Sequence, residues 1–245
     1  MAFFIEVDGL LELEQHEDWG AARRLLYELW DKDKDNLDML LRLMAECWYV
    51  LSEWGCCIPH ERLSREDFGD SLISCTEYGL QHFKSDPRFL CMAGYMILLF
   101  PGEFYKENTD ENYPKWEQIG MDLTSEAYML FPEDAFVRLN YFGTWETTEK
   151  EYYVAQSEIY PVLDEIFPRK TAIEEYFNSI CTPWDKRQYT TTMEDDQESL
   201  DAIQLSVIDA EKSVMGTGAS DVSVKVFKEQ TPVVKSLQTE EYQIP

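Results

Sequence analysis

Residues 18–48 read DWGAARRLLYELWDKDKDNLDMLLRLMAECW, and the fold is predicted from the pattern of apolar and polar residues in this segment. Apolar side chains recur at three- and four-residue intervals on both sides of a polar segment, which is the period of an amphipathic helix. The polar segment, residues 31–36, is so short that the second helix must fold back on the first. We therefore predict an antiparallel hairpin of two amphipathic helices. Its apolar faces are Ala22, Leu25, Leu26, Leu29 and Trp30, followed by Leu37, Leu40, Leu41, Met44, Trp48 and Leu51.

The same pattern returns twice, which indicates an internal repeat. Trp19, Phe68 and Trp116 open the first helix of each predicted hairpin, at separations of 49 and 48 residues. Capping signals agree with these starts, because Ser64 and Thr148 stand three residues before an acid, and Asp86 precedes a proline. The later apolar stripes are Phe68, Leu72, Cys75, Gly79 and Phe83, then Trp116, Ile119, Leu123, Ala127 and Leu130, and finally Phe136, Leu139 and Phe142. Trp30, Phe83 and Phe131 close the three first helices.

At residues 18–48 the chain resembles a degenerate tetratricopeptide-like helix pair, with small residues inside the first helix and a short acidic turn before the second. The resemblance extends over residues 1–180. The spacing is longer than the usual period of that family, and its signature Trp-Leu-Gly-Tyr and Ala-Phe-Pro positions are not cleanly filled. The resemblance implies an all-α fold of antiparallel helical hairpins stacked as an array, and a helical bundle is the alternative.

Composition changes after Trp184 and predicts three regions. Residues 1–187 form the helical-repeat domain, and residues 188–199, QYTTTMEDDQES, form an acidic linker without apolar periodicity. Residues 200–245 are either a small appended helix and strand or a segment that orders on a partner. The helical face would be Leu200, Ile203, Val207, Ala210 and Val214, and the strand would contain Val222, Val224 and Val226.

The chain is strongly acidic, with 48 Asp and Glu against 21 Lys and Arg and a formal net charge of -27. Such a charge repels nucleic acid and anionic lipid, so neither is an expected partner. It favours solubility, a dedicated surface for a basic partner, or both.

Location also follows from the sequence as an expectation. Residues 1–15 lack a basic segment before an apolar run, so no export signal is expected, and residues 89–100 are too short to span a bilayer. Six irregularly spaced cysteines in a chain of this size indicate reduced thiols. We expect a cytoplasmic protein.

No motif for catalysis or metal binding is complete. The histidines His16, His60 and His82 have no nucleophile motif nearby, and Cys56-Cys57-Ile-Pro-His60 lacks the second ligand pair of a zinc site. Asp31, Asp33 and Asp35 begin like a calcium loop, but Asn36 replaces the required glycine and Arg42 the bidentate glutamate. Gly216-Thr-Gly218 lacks the lysine of a phosphate loop. We expect no enzymatic activity, no cofactor and no metal.

Residues 102–114, between the second and third hairpins, are predicted to form a long polar loop in which aromatic and acidic residues alternate. Aromatic rings supply rigid contact area and carboxylates complement Lys and Arg, so this loop has the composition of a protein-binding edge. The alternative is that its aromatic residues fold back on the array. The predicted partner-binding residues are Glu103, Phe104, Tyr105, Glu107, Asp110, Glu111 and Tyr113, together with Asp31, Asp33 and Asp35.

An acidic helical array of this kind resembles the immunity proteins of polymorphic or contact-dependent bacterial toxin systems. The resemblance implies an antitoxin that binds a cognate basic toxin in the cytoplasm and covers its active site. A tetratricopeptide-like secretion chaperone or adaptor that holds an effector segment is the alternative, followed by an enzyme with an unrecognised site. The sequence leaves the oligomeric state open.

Overall fold

A computed structural model of the chain shows the predicted all-α fold. It describes residues 2–56, 58, 61–107, 109, 111–144, 148–183 and 186, and these residues form helices without strands. The predicted linker 188–199 and tail 200–245 lie outside the described residues. The helices are α1 (Leu10–Gln15), α2 (Trp19–Lys32), α3 (Leu37–Ser52), α4 (Arg65–His82), α5 (Pro87–Leu99), α6 (Asn112–Leu130), α7 (Ala135–Phe142), α8 (Glu149–Ile159), α9 (Leu163–Ile166) and α10 (Ala172–Cys181), with 3-10 turns at Pro101–Phe104 and Tyr160–Val162.

Three helical hairpins follow one another, α2 with α3, α4 with α5, and α6 with α7. Each is closed by a four-residue connector, at 33–36, 83–86 and 131–134. The last residue of each connector is a short polar N-cap, Asn36, Asp86 or Asp134, whose side chain accepts a hydrogen bond from a backbone N–H of the next helix. The caps therefore start the second helix of each hairpin at equivalent positions.

Contacts between successive hairpins recur with the period that the sequence predicts. Arg23 of α2 donates to Ser71 of α4 across 48 residues, and Trp48 of α3 donates to the Met96 carbonyl of α5 across the same separation. Asn140 of α7 donates to Cys91 of α5 across 49 residues. Equivalent helices therefore run parallel to one another, as in a stacked repeat.

Adjacent helices run antiparallel, so the connectors separate into two ends. A β-carbon added at Gly94 of α5 would meet Thr124 of α6, whereas one added at Gly120 would meet Leu98, so the two helices run in opposite directions. The connectors 33–36, 83–86 and 131–134 lie at one end of the array, which we call the turn end. The described residues of the connectors 53–64, 100–111 and 143–148 lie at the other, which we call the connector end.

Helix α3 is buried on almost every side, which corrects the prediction of an amphipathic helix. Its predicted apolar face is buried, but so are Arg42 and Glu46 on the other side. The reason is that α3 is covered by α2, α4 and α5, and also by residues near both ends of the helical region. Those covering residues form an aromatic cluster with Trp48, namely Phe4, Phe167, Tyr176 and Phe177.

Candidate partner-binding surface

The predicted loop 102–114 is shorter and more ordered than the sequence indicates. Residues 101–104 form a 3-10 turn, and α6 already begins at Asn112, so Tyr113 and Pro114 belong to a helix. Phe104 is fully buried, with its ring 5.8 Å from that of Trp116. For this residue the structure supports the alternative that the aromatic side chain folds back on the array, and Phe104 presents no surface to a partner.

Two ion pairs fasten this loop to α4. Arg65 donates to Glu103, and Lys106 lies 2.6 Å from Asp70. Burial raises the pKa of Glu103, and the neighbouring Arg65 opposes that rise. Glu103 therefore serves the fold, because its charge is already matched by a cation of the same chain.

The other predicted residues of the loop face outward to different extents. Tyr113 is half exposed, and Glu107 and Glu111 are exposed, while Tyr105 is partly buried and Asp110 lies outside the described residues. Sequence reasoning missed two exposed apolar residues at the same end, Leu99 and Phe100, because their run of apolar neighbours indicates a buried helix. The connector end thus presents carboxylates beside apolar surface.

The predicted residues Asp31, Asp33 and Asp35 lie at the turn end and are all exposed. Asp31 pairs with Lys34 at 3.2 Å, and the Tyr78 hydroxyl donates to Asp35 at 3.1 Å. The structure does not bring these three residues together with Glu107, Glu111 and Tyr113, because the two sets occupy opposite ends of the antiparallel helices. The predicted residues therefore make two surfaces instead of one.

About half of the basic side chains in residues 1–187 form ion pairs with carboxylates of the same chain. Residues 1–187 contain 37 Asp and Glu but only 17 Lys and Arg. In the part of the chain that the structure describes, nine of those basic side chains lie within 4.0 Å of a carboxylate, and many of the remaining acids are exposed. The nine are Arg23, Lys34, Arg42, Arg65, Arg88, Lys106, Arg138, Arg169 and Lys170.

No protein-family model, curated protein or solved structure gives a significant match to this chain. Across the described residues, none of the helices combines the length and apolar character needed to cross a bilayer. Among those same residues, no three His, Cys, Asp or Glu side chains are grouped so that they could hold a metal ion. Cys57 and His60 of the Cys56–His60 motif lie outside them.

A buried ion cluster at the centre of the fold was not predicted. Glu14 of α1 and Glu46 of α3 flank Arg42, and each of the three side chains is at most 2% exposed. Arg42 donates to Glu14 through one terminal nitrogen, and its other terminal nitrogen lies 3.2 Å from Glu46. The spacing of Arg42 and Glu46, one helical turn apart, is the only signal in the sequence, and it is typical of an exposed ion pair as well.

Two buried carboxyl groups share this single cation, and burial raises the pKa of both above the ordinary value. Burial raises the pKa of Glu46 to about 8, with Arg42 opposing the rise and Glu14 reinforcing it. Burial also raises the pKa of Glu14, but the Arg42 hydrogen bond favours its ionised form. Burial therefore favours the protonated form of Glu46, whereas Arg42 favours the ionised form of Glu14, and the cluster is closed to solvent.

Proposed function

We propose that this chain binds a basic polypeptide and acts as an immunity protein, covering the active site of a cognate toxin domain. The observation that carries the proposal is the sign of the surface. Nine of the 17 Arg and Lys side chains in residues 1–187 pair with carboxylates of the same chain, while exposed carboxylates remain at both ends of the array.

Charge of one sign has a kinetic consequence that suits such a role. A strongly negative surface attracts a positive partner over about 8 Å, the screening length at physiological salt. Association can then exceed the rate set by random orientation of two proteins, about 10⁵–10⁷ per molar per second. Rapid capture is what a cell needs from a protein that must reach a toxin before its target does.

The packing favours this role over that of a secretion chaperone. A chaperone of the tetratricopeptide type holds its client in an open groove between helices. Here Trp48 of α3 and Tyr95 of α5 lie against Phe177 of α10, so the chain fills this side of the array with its own residues. The turn end and the connector end remain accessible to a partner.

The experiment is co-purification from the native host followed by a neutralisation assay. The tagged chain should retain a partner protein with an excess of Lys and Arg. Co-expression of the chain should restore growth to cells that express that partner. Glu107→Lys combined with Asp33→Lys should weaken the retention, because each removes negative charge at one end. Recovery of a neutral or acidic partner, or a partner that is harmless without this chain, would reject the proposal.

A further inference from the structure

The C-terminal end of α6 exposes three consecutive apolar residues. Met129 is 73% exposed, the highest value for a large apolar side chain in the described residues, and Leu130 and Phe131 are 46% and 53% exposed. Leu130 was predicted to belong to the buried stripe of α6. We call Met129, Leu130 and Phe131 the apolar tip.

The fold does not require these residues to be apolar, as the repeat shows. Aligning the N-caps Asn36, Asp86 and Asp134 places the apolar tip opposite polar residues in the other two hairpins. The first hairpin has Asp31, Lys32 and Asp33 at these positions, and the second has Gln81, His82 and a partly buried Phe83. The same turn is therefore built once without an apolar side chain at these positions and once with a single, partly buried one.

Helix geometry explains why Met129, the most exposed residue of the tip, stays uncovered. Met129 follows the buried Ala127 by two residues, which turns its side chain about 200° away from the packed face of α6. Phe131 ends the helix, and its backbone N–H bonds to the Ala127 carbonyl. The Met129 side chain therefore points away from the array, and burial by neighbouring helices does not account for it.

The charged residues nearest to the tip in the sequence are acidic. Glu126 and Glu133 are exposed on either side of it, and the N-cap Asp134 follows. The first and second hairpins place Lys34 and Lys84 in their connectors, whereas the third has Pro132 at that position. The third turn therefore combines exposed apolar side chains with carboxylates and has lost the lysine of the other two.

We propose that the apolar tip, flanked by Glu126 and Glu133, is the anchor on which an amphipathic basic helix of the partner docks. This inference rests on the proposed function and gives it a location. Leucine-like side chains on the partner would cover Met129 and Phe131, whose flexible thioether and flat ring adapt to such contacts. Lysine or arginine residues beside that stripe would meet the two glutamates.

The test uses two labelled peptides of about 18 residues, which is about five helical turns. One is made of Leu and Lys with leucines at helical spacing, and the other is polylysine. At about 0.15 M salt, the full chain should bind the amphipathic peptide more tightly than polylysine. Met129→Gln with Leu130→His, the residues of the second hairpin, should weaken binding of the amphipathic peptide at least about tenfold and leave polylysine binding unchanged.

The matched control is Leu99→Gln with Tyr113→Gln, which removes exposed apolar surface at the connector end. This control should retain the affinity of the native chain. Equal affinity of the first variant and the native chain, or an equal loss in the control, would overturn the anchor. Binding of both peptides without any effect of the substitutions would leave the basic-partner proposal standing and reject the anchor alone, whereas binding of neither would reject both.

Two other occupants of the tip give different results. If a second copy of the chain covers it, light scattering will show a dimer that becomes monomeric in the Met129→Gln, Leu130→His variant. If residues 200–245 of the same chain cover it, hydrogen exchange in that segment will accelerate in the variant. Either result would overturn the assignment of the tip to a basic partner.

Discussion

At the level of individual residues, Glu14, Arg42 and Glu46 form a cluster of ionisable side chains buried in the protein interior. An isolated charge in a protein interior is strongly unfavourable, and a buried ion pair recovers its desolvation penalty only with good geometry. Here one cation serves two carboxyl groups, and a proton on Glu46 makes the cluster neutral. The cluster is therefore sensitive to pH and to the loss of any member.

Stability should fall as pH rises through neutrality because of Glu46. Its pKa in the folded chain, about 8, is above the ordinary value of 4.5, so the folded state holds this proton more tightly than the unfolded state. The resulting stabilisation is complete below pH 4.5 and is lost as pH rises through 8. Between these values the free energy of unfolding should decrease by up to about 1.4 kcal/mol per pH unit.

Urea unfolding at several pH values between 6 and 9 measures this slope. Glu46→Gln keeps a neutral side chain of the same shape at every pH and should flatten the dependence. Glu107→Gln, at an exposed site, should leave it as in the native chain. Identical slopes for the native chain and Glu46→Gln would show that the proton lies elsewhere.

Removal of Arg42 alone should be much more damaging than removal of the whole cluster. Arg42→Met leaves two buried carboxyl groups without a cation, with an expected loss of about 3–5 kcal/mol in the free energy of unfolding. Replacing Glu14, Arg42 and Glu46 together by Met should recover most of that loss, because nothing charged is then buried. A triple variant as unstable as Arg42→Met, by urea unfolding, would mean that the cluster is needed for the fold itself.

At the scale of helices, the close approach of α4 to α5 depends on a residue without a side chain. A β-carbon at Gly79 would lie 2.0 Å from the ring of Phe89, which is itself fully buried. By contrast, a β-carbon at Gly69 of the same helix would have no atom within 4 Å. The two glycines therefore have different reasons to be present in α4.

Alanine substitutions at these two positions should have opposite effects. Gly79→Ala should destabilise the chain by about 1–3 kcal/mol, since Phe89 must move in a packed core. Gly69→Ala should stabilise it by up to about 1 kcal/mol, because alanine is the better helix former and meets no neighbour. Thermal and urea unfolding of the two variants check the signs, and a stabilising Gly79→Ala would show that α5 does not lie as described.

Considered as a whole molecule, the array separates two contributions to binding. Net charge acts at a distance and sets the rate of encounter, whereas contact at the apolar tip determines how long a complex lasts. The exposed Glu126 and Glu133 beside the tip belong to the first contribution, and Met129 and Phe131 belong to the second.

Association kinetics with the amphipathic Leu–Lys peptide should show this separation. Glu126→Lys with Glu133→Lys, beside the tip, should slow association and reduce its salt dependence, with little change in the dissociation rate. Met129→Gln with Leu130→His should accelerate dissociation and leave the association rate unchanged. Stopped-flow measurements at two salt concentrations test this, and an association rate unaffected by the two charge reversals would show that these glutamates do not attract the peptide.

The helices, the hairpins and their period of about 48 residues could be predicted from the amino-acid sequence. These features depend on local information: the spacing of apolar side chains, the short polar connectors and the N-caps at Asn36, Asp86 and Asp134. Local patterns are read reliably because helix periodicity and capping involve residues only a few positions apart.

Which side chains are buried, and which surfaces are accessible to a partner, depends on tertiary packing. Phe104 is covered by Trp116, Arg42 is enclosed by Glu14 of a distant helix, and Leu130 is left exposed although it continues an apolar stripe. The exposure of a side chain depends on elements far away in the sequence, and periodicity carries no information about them. For the same reason the sequence did not show that the predicted acidic residues at 31–35 and those at 107–111 lie at opposite ends of the array.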